Sequence, residues 1–282
     1  SVDVMDALGS NIRVDARGAQ VMRVLPRLNE DLNEEWISDK TRYAIDGLRR
    51  QRLDKPYARN RDGRLHPISW DEALKSFAAA LRKSKPNSIA AIAGNQADAE
   101  SMFALKSLMT RLGSPNIDCR QDGAKIGGKR CGYLFNSRVA GIDEADALLI
   151  IGSNPRIEAA VLNARIRRNW LSSRMPIGVV GPKTDLTYHA DFLGEEPSIL
   201  DAIARGTHKF STKLKKAKRP MIIIGMGAVA RVDGAAMLGK ARQIAEAYDV
   251  VTNDWNGFNM LHTAAARVGG LDLGFVPGRG GM

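Results

Sequence analysis

The chain has 282 residues, 44% of them hydrophobic, and 42 Lys/Arg set against 31 Asp/Glu give it a net charge of +11. That length supports a large core in one big or two modest domains, and no apolar run approaches the ~18 residues of a membrane span. Two cysteines, Cys119 and Cys131, are too few for a disulfide framework and fit a reducing compartment.

The sequence opens SVDVMDALGS, without an initiator Met or a basic region followed by an apolar core, and closes on GRGGM. A processed chain or a stretch of a longer one is expected, without a secretory signal. Residues 1–63 read as short strands and turns. SNIRVDARGAQVMRVLPR alternates polar and apolar residues around Gly18, which predicts a hairpin. Asp62-Gly63 marks a turn. Ser69 is placed to cap a helix with Glu72 closing a capping box. That helix is predicted from Trp70 to Arg82, with Ala73, Leu74, Phe77, Ala80 and Leu81 at helical spacing.

From residue 88 the pattern alternates. Short apolar runs predict buried strands at 88–94 (SIAAIAG), 147–152 (ALLIIG), 177–181 (IGVVG) and 221–225 (MIIIG), with DVVT at 249–252 as a fifth. Helical patterns fall at 97–112, 158–171, 198–205 and 233–248. Such alternation predicts right-handed βαβ units and a parallel sheet covered on both faces. The expected class is α/β: a small N-terminal β-rich subdomain, residues 1–63, then a doubly wound parallel-sheet domain, residues 64–282. The boundary is expected in the Asp-, Pro-, Asn-, Arg- and Gly-rich stretch 54–66.

Two of these strands end in glycine-bearing loops that lead into helices, IIGSNPRIEA (150–159) and IIIGMGAVARVDG (222–234). Amide groups of such loops can cradle a phosphate; tight strand-to-helix turns need glycine in any case. Cys119 lies between Asp118 and Arg120, where a cation can lower a thiol pKa, but no histidine is nearer in sequence than His66 and His189, and an ordinary structural thiol is the other reading. His66, His189, His208 and His262 are scattered without metal-ligand spacing, so no zinc site is expected. Basic clusters at Arg49–Arg52, Arg165–Arg168 and Lys209–Arg219 read as solvated helix faces or as docking surfaces for acidic partners. Nucleic acid is not expected, because aromatics make up only 6% of the chain and are not interleaved with the basic clusters.

The segment WISDKTRYAIDGL, followed by RQRLDKPYARNRDGRLHPISWDEAL, resembles the start of the molybdopterin oxidoreductases. There a cysteine stands where this chain has Ser38, as the last ligand of a [4Fe–4S] cluster with the spacing C-x₂-C-x₃-C-x₂₇-C. Counted back from Ser38, that spacing falls on Ser10, Asp6 and Asp3, none of them a thiol. Iron–sulfur clusters need soft thiolates, whereas Asp and Ser are hard oxygen ligands; no cluster is expected here, and a hard cation is the other occupant such a set would accept. In the same family a G-x-N-P loop lies against the pterin dinucleotide, as Gly152, Ser153, Asn154 and Pro155 would. A later D-P-R supplies an acid for the guanine end, where this chain has Gly181-Pro182-Lys183. The family's metal ligand would fall near 123–125, and this chain has no such residue there.

Within that superfamily, NEEWISDKTR, ADALLIIGSNPRIEA, LNARIRRNWL and DLTYHADFLG are similar to the large iron–sulfur subunits of proton-translocating NADH–quinone oxidoreductases, over essentially the whole chain. The resemblance implies a structural and docking role beside other hydrophilic-arm subunits of respiratory complex I, on the cytoplasmic side of a bacterial inner membrane or the mitochondrial matrix side, without direct membrane insertion. It implies no cofactor in this segment and [2Fe–2S] and [4Fe–4S] clusters in a part N-terminal to it. The alternative is an active, formate-dehydrogenase-like molybdopterin oxidoreductase domain with Cys119 or Cys131 as metal ligand.

Overall fold

The computed structural model describes residues 1–281. The N-terminal lobe is built on the hairpin of β1 (Ile12–Arg17) and β2 (Gln20–Pro26), turning at Gly18 as its alternation predicts. Ile12, Val24 and Ile37 form its small core. Helix α1 (Asp39–Tyr43) follows, capped by Ser38, whose hydroxyl accepts from Thr41 N–H. A second hairpin pairs β3 (Tyr57–Arg59) with β4 (Leu65–Pro67) around Gly63. Next comes α2 (Trp70–Lys83), with the Ser69–Glu72 capping box in place.

The predicted strand at 88–94 shrinks to β5 (Ala91–Ile92). After α3 (Ala99–Arg111), β5 pairs in parallel with β6 (Ile117–Asp118), apart from the main sheet. The main sheet is parallel throughout. Its strands are β7 (Ala147–Ile151), β8 (Ile177–Val180), β9 (Asp191–Gly194), β10 (Pro220–Gly225) and β11 (Phe258–Leu261), in the order β11-β10-β7-β8-β9. Between them run α4 (Pro155–Glu158), α5 (Ala160–Ser173), α6 (Ser198–Ala204), α7 (Ser211–Lys216), α8 (Met226–Val229) and α9 (Gly234–Ala247), and α10 (Arg267–Asp272) closes the chain.

The run ALLII can be continuously apolar because successive side chains enter two different cores. Leu149 and Ile151 pack with Ile222, Leu200, Phe210 and Ile244 on one face. Leu148 and Ile150 pack with Ile223, Leu162, Ile166 and Trp255 on the other. One prediction fails here. DVVT makes only an isolated bridge between Val251 and Asn256, and the neighbour of β10 is Phe258–Leu261 instead. Strand β9 is hidden from sequence reading, because DFLG is too short and too little apolar to stand out.

The basic cluster 165–168 is not a free docking surface. Arg165, with 6% of its side chain exposed, binds Asp143 at 2.7 Å and the carbonyls of Glu30 and Leu32 at 2.9 and 3.4 Å. Arg168 binds Glu34 at 2.6 Å and Asp143 at 2.7 Å, and Arg167 reaches the Thr187 carbonyl at 3.2 Å. The cluster clamps the N-terminal lobe onto α5. Part of the 209–219 cluster is also used internally, through Lys213–Asp191 and Arg219–Glu144 ion pairs.

Candidate functional site

Two places bear on chemistry. The first is the N-terminal nest. Asp3, Asp6, Ser10 and Ser38, scattered over 36 positions, are all buried, and three of them are joined by hydrogen bonds, Ser38 through Thr41. Ser38 donates its hydroxyl to Thr41 Oγ1 at 2.9 Å, and Thr41 in turn donates to Asp3 Oδ2 at 2.6 Å. Asp3 N–H donates to the Ser10 carbonyl at 2.8 Å. The Asp3 and Asp6 carboxylates each accept an amide two residues on, from Met5 and Leu8, at 2.9 Å. Asp6 Oδ2 and Ser10 Oγ have no hydrogen-bond partner among the described residues. Thr41 is the member that sequence reasoning missed; the S-x-x-T capping spacing is the signal that would have found it. The donor set is oxygen only. It does not fit an iron–sulfur cluster, whose irons need thiolates.

Burial pushes the Asp6 carboxyl above its ordinary value; the Leu8 amide opposes that, Asp3 adds to it, and Lys40 opposes it. A carboxyl raised on folding favours the native state while it is protonated, and this contribution is lost as pH rises through the folded value. Asp6→Asn is therefore expected to stabilise the chain at pH 7 by about 1 kcal/mol, the scale of one unsatisfied buried group. The gain should shrink in acid, as thermal unfolding followed across pH would show.

The second place is the crevice at the carboxyl ends of the main sheet. The chain runs outward through β7, β8 and β9, then returns to the other side of β7 with β10 and β11. The β7/β10 border is thus the topological switch point, where open α/β sheets hold ligands. A cavity of about 360 Å³ lies there, lined by Gly152, Ser153, Asn154, Glu158, Gly181, Glu195, Gly227 and Arg231 among others. Both predicted glycine loops and Gly181 therefore meet at one site.

Their glycines serve contact between the loops. A Cβ on Gly152 (φ +61°) would stand 2.4 Å from Ala228 N, one on Gly225 2.4 Å from Ser153 Cβ, and one on Gly227 2.7 Å from the Gly152 carbonyl oxygen. In the first loop, two groups that would hold a phosphate are already engaged. Asn154 N–H donates to Glu158 Oε1 at 3.0 Å and the Ser153 hydroxyl to Glu158 Oε2 at 2.7 Å. Arg231, the one cation lining this cavity among the described residues, is turned to Asp233 at 2.6 and 3.0 Å. Glu158 and Arg231 lie inside the two quoted loops without having been singled out, and Glu195 carried no motif in the sequence. Neither cysteine lines the crevice. Cys119 is buried near Ala91, Met102 and Phe275 with its thiol pushed up by burial, and Cys131 is exposed. His262 is also buried, its pKa pushed down to about 4 by desolvation. With carboxylates at the loop and no thiol or hydroxyl ligand at 123–125, the residues present do not fit a pterin dinucleotide and its metal.

A doubly wound parallel sheet with glycine loops at its switch point, preceded by a small β-rich lobe, defines the class. Residues 52–282 match the family described as Molybdopterin oxidoreductase, and the chain belongs to it. Residues 1–46 match a second description, NADH-ubiquinone oxidoreductase NDSU1/NuoG-like, 4Fe-4S domain, although the chain's two cysteines both lie beyond that stretch. More particularly, the chain is 49% identical over 278 residues to NADH dehydrogenase [ubiquinone] iron-sulfur protein 1, mitochondrial, of Solanum tuberosum, covering 98% of this chain and 38% of the relative. It is 48% identical over 276 residues to an NADH-quinone oxidoreductase subunit of Rickettsia conorii, covering 98% of this chain and 41% of the relative. The chain thus spans about two fifths of the length of the curated relatives it matches. Among solved structures, acetylene hydratase from Pelobacter acetylenicus shares the fold, with a TM-score of 0.51 at 14% identity over 98% of this chain and 43% of that one.

Proposed function

We propose that this chain is the structural and docking region of the large iron–sulfur subunit of a proton-translocating NADH–quinone oxidoreductase, with no redox centre of its own. The observation that carries the reading is near-half identity over almost the full chain to subunits of that complex, joined to ligand positions whose chemistry does not suit the family's cofactors. Residues 1–46 match a 4Fe–4S domain description, without its thiolates. Residues 64–281 keep the doubly wound fold with its glycine loops packed on each other. The assembly passes electrons from NADH to quinone, and the [2Fe–2S] and [4Fe–4S] clusters lie elsewhere in the large iron–sulfur polypeptide. Neighbouring subunits of the hydrophilic arm dock on this region, with Arg49, Arg50 and Arg52, all exposed, as contacts for acidic surface. The arm stands on the cytoplasmic or matrix side, in keeping with the lack, among the described residues, of a helix long and apolar enough to cross a membrane.

Anaerobic reconstitution with iron and sulfide tests this. Metal and sulfide analysis with EPR is expected to find no stoichiometric cluster; a reducible cluster at one per chain defeats the reading. Stoichiometric molybdenum or tungsten in protein purified from its natural host would replace it with an active molybdopterin oxidoreductase.

A further inference from the structure

Helix α2 has the clearest amphipathic pattern in the chain, yet none of its residues is buried. Trp70, Leu74 and Phe77 fall at i, i+4 and i+7, so they share one stripe, and they are 66%, 58% and 55% exposed. Only Ala73, Ala78 and Leu81 are half-buried. A 14-residue helix is marginal in water on propensity alone and takes its stability from packing an apolar face. The elements that follow it in the chain are unfinished in the same way. The parallel pair β5–β6 has only two strands, whereas parallel sheets occur with both faces covered. Ile92 on β5 and Phe103 on α3 are 59% and 62% exposed.

We infer that the α2 stripe is a docking face for polypeptide that full-length members carry outside residues 1–282, which lays an apolar ridge bordered by carboxylates on Trp70, Leu74 and Phe77. Two observations choose that occupant. The curated relatives are about two and a half times as long as the matched stretch, which leaves ample chain to complete a second layer. The sequence around the helix is basic, residues 39–85 holding 13 Lys/Arg against 6 Asp/Glu, so the covering segment is acid-bordered. Gly278 N–H donates to the Pro115 carbonyl at 2.9 Å beside β6, so the last described residues lie next to the β5–β6 pair. This inference rests on the fold and the length comparison, and stands whatever becomes of the iron–sulfur reading.

The test uses the full-length polypeptide with a photo-crosslinking benzoyl-phenylalanine in place of Phe77. Irradiation and peptide mapping are expected to join position 77 to an apolar, acid-bordered segment of the same molecule outside residues 1–282. A crosslink to a second copy, to another subunit or within 1–282, or no crosslink at all, overturns the inference. Leu74→Asp in the same polypeptide is expected to speed amide exchange in α2 at least tenfold while β7 and β10 stay protected; unchanged exchange in α2 also overturns it.

Discussion

Gly152→Ala is expected to destabilise the chain by about 3 kcal/mol, combining overpacking with a left-handed backbone. For a chain of this size that lowers the melting temperature by roughly 6–10 °C. The added methyl would meet the Ala228 amide nitrogen, and behind it stands the backbone of the second glycine loop, which has no flexible side-chain end to give way. Gly18→Ala is the control: the glycine also has positive φ (+58°), but a Cβ there meets nothing within 4 Å. It should cost only the conformational penalty, about 1 kcal/mol. If the two substitutions cost the same, the loops do not interlock at Gly152.

Arg165→Met should cost about 3 kcal/mol, because a buried guanidinium is removed while the groups it satisfied stay behind. Asp143 keeps only Arg168, and the carbonyls of Glu30 and Leu32 lose their donor. Arg167→Met, two positions along on the solvent side, removes a single bond to the Thr187 carbonyl and should stay within about 0.5 kcal/mol. Limited trypsin digestion adds a local readout, since the clamp holds residues 30–34 and its loss should expose the N-terminal lobe first. The pH dependence has a definite sign. Burial pushes the Asp143 carboxyl up, but its bonds to Arg165 and Arg168 outweigh that and hold it below the ordinary value. The clamp's contribution is therefore complete above the ordinary carboxylate range and is lost as pH falls through the lowered value. Urea unfolding at pH 7 and pH 3 should show the wild-type advantage over Arg165→Met shrinking at the lower pH.

The two cases show why some of the molecule was legible beforehand. ALLIIG, IGVVG and MIIIG could be read as buried strands because each needs apolar side chains on both faces, which a window of six residues displays. Ser69 and Glu72 were legible because a capping box is closed within four residues. Arg165–Arg168 misled for the opposite reason: their partners, Asp143, Glu34 and three carbonyls, lie 20 to 135 positions away. A cluster of like charge in sequence says nothing about how much of it is already neutralised in space.

The sequence alone determined the class of fold, the two glycine loops, and the oxygen side chains at positions 3, 6, 10 and 38 where cluster spacing calls for sulfur, because these depend on residue identity and short-range pattern. Tertiary structure alone decided what those positions do. It brought Asp3, Ser38 and Thr41 into one buried chain of hydrogen bonds and packed one glycine loop against the other. It also turned Glu158 onto the amide and hydroxyl that a phosphate would need, and left the most amphipathic helix with its stripe in water. Burial and contact are sums over the whole chain in space, and no local window contains them.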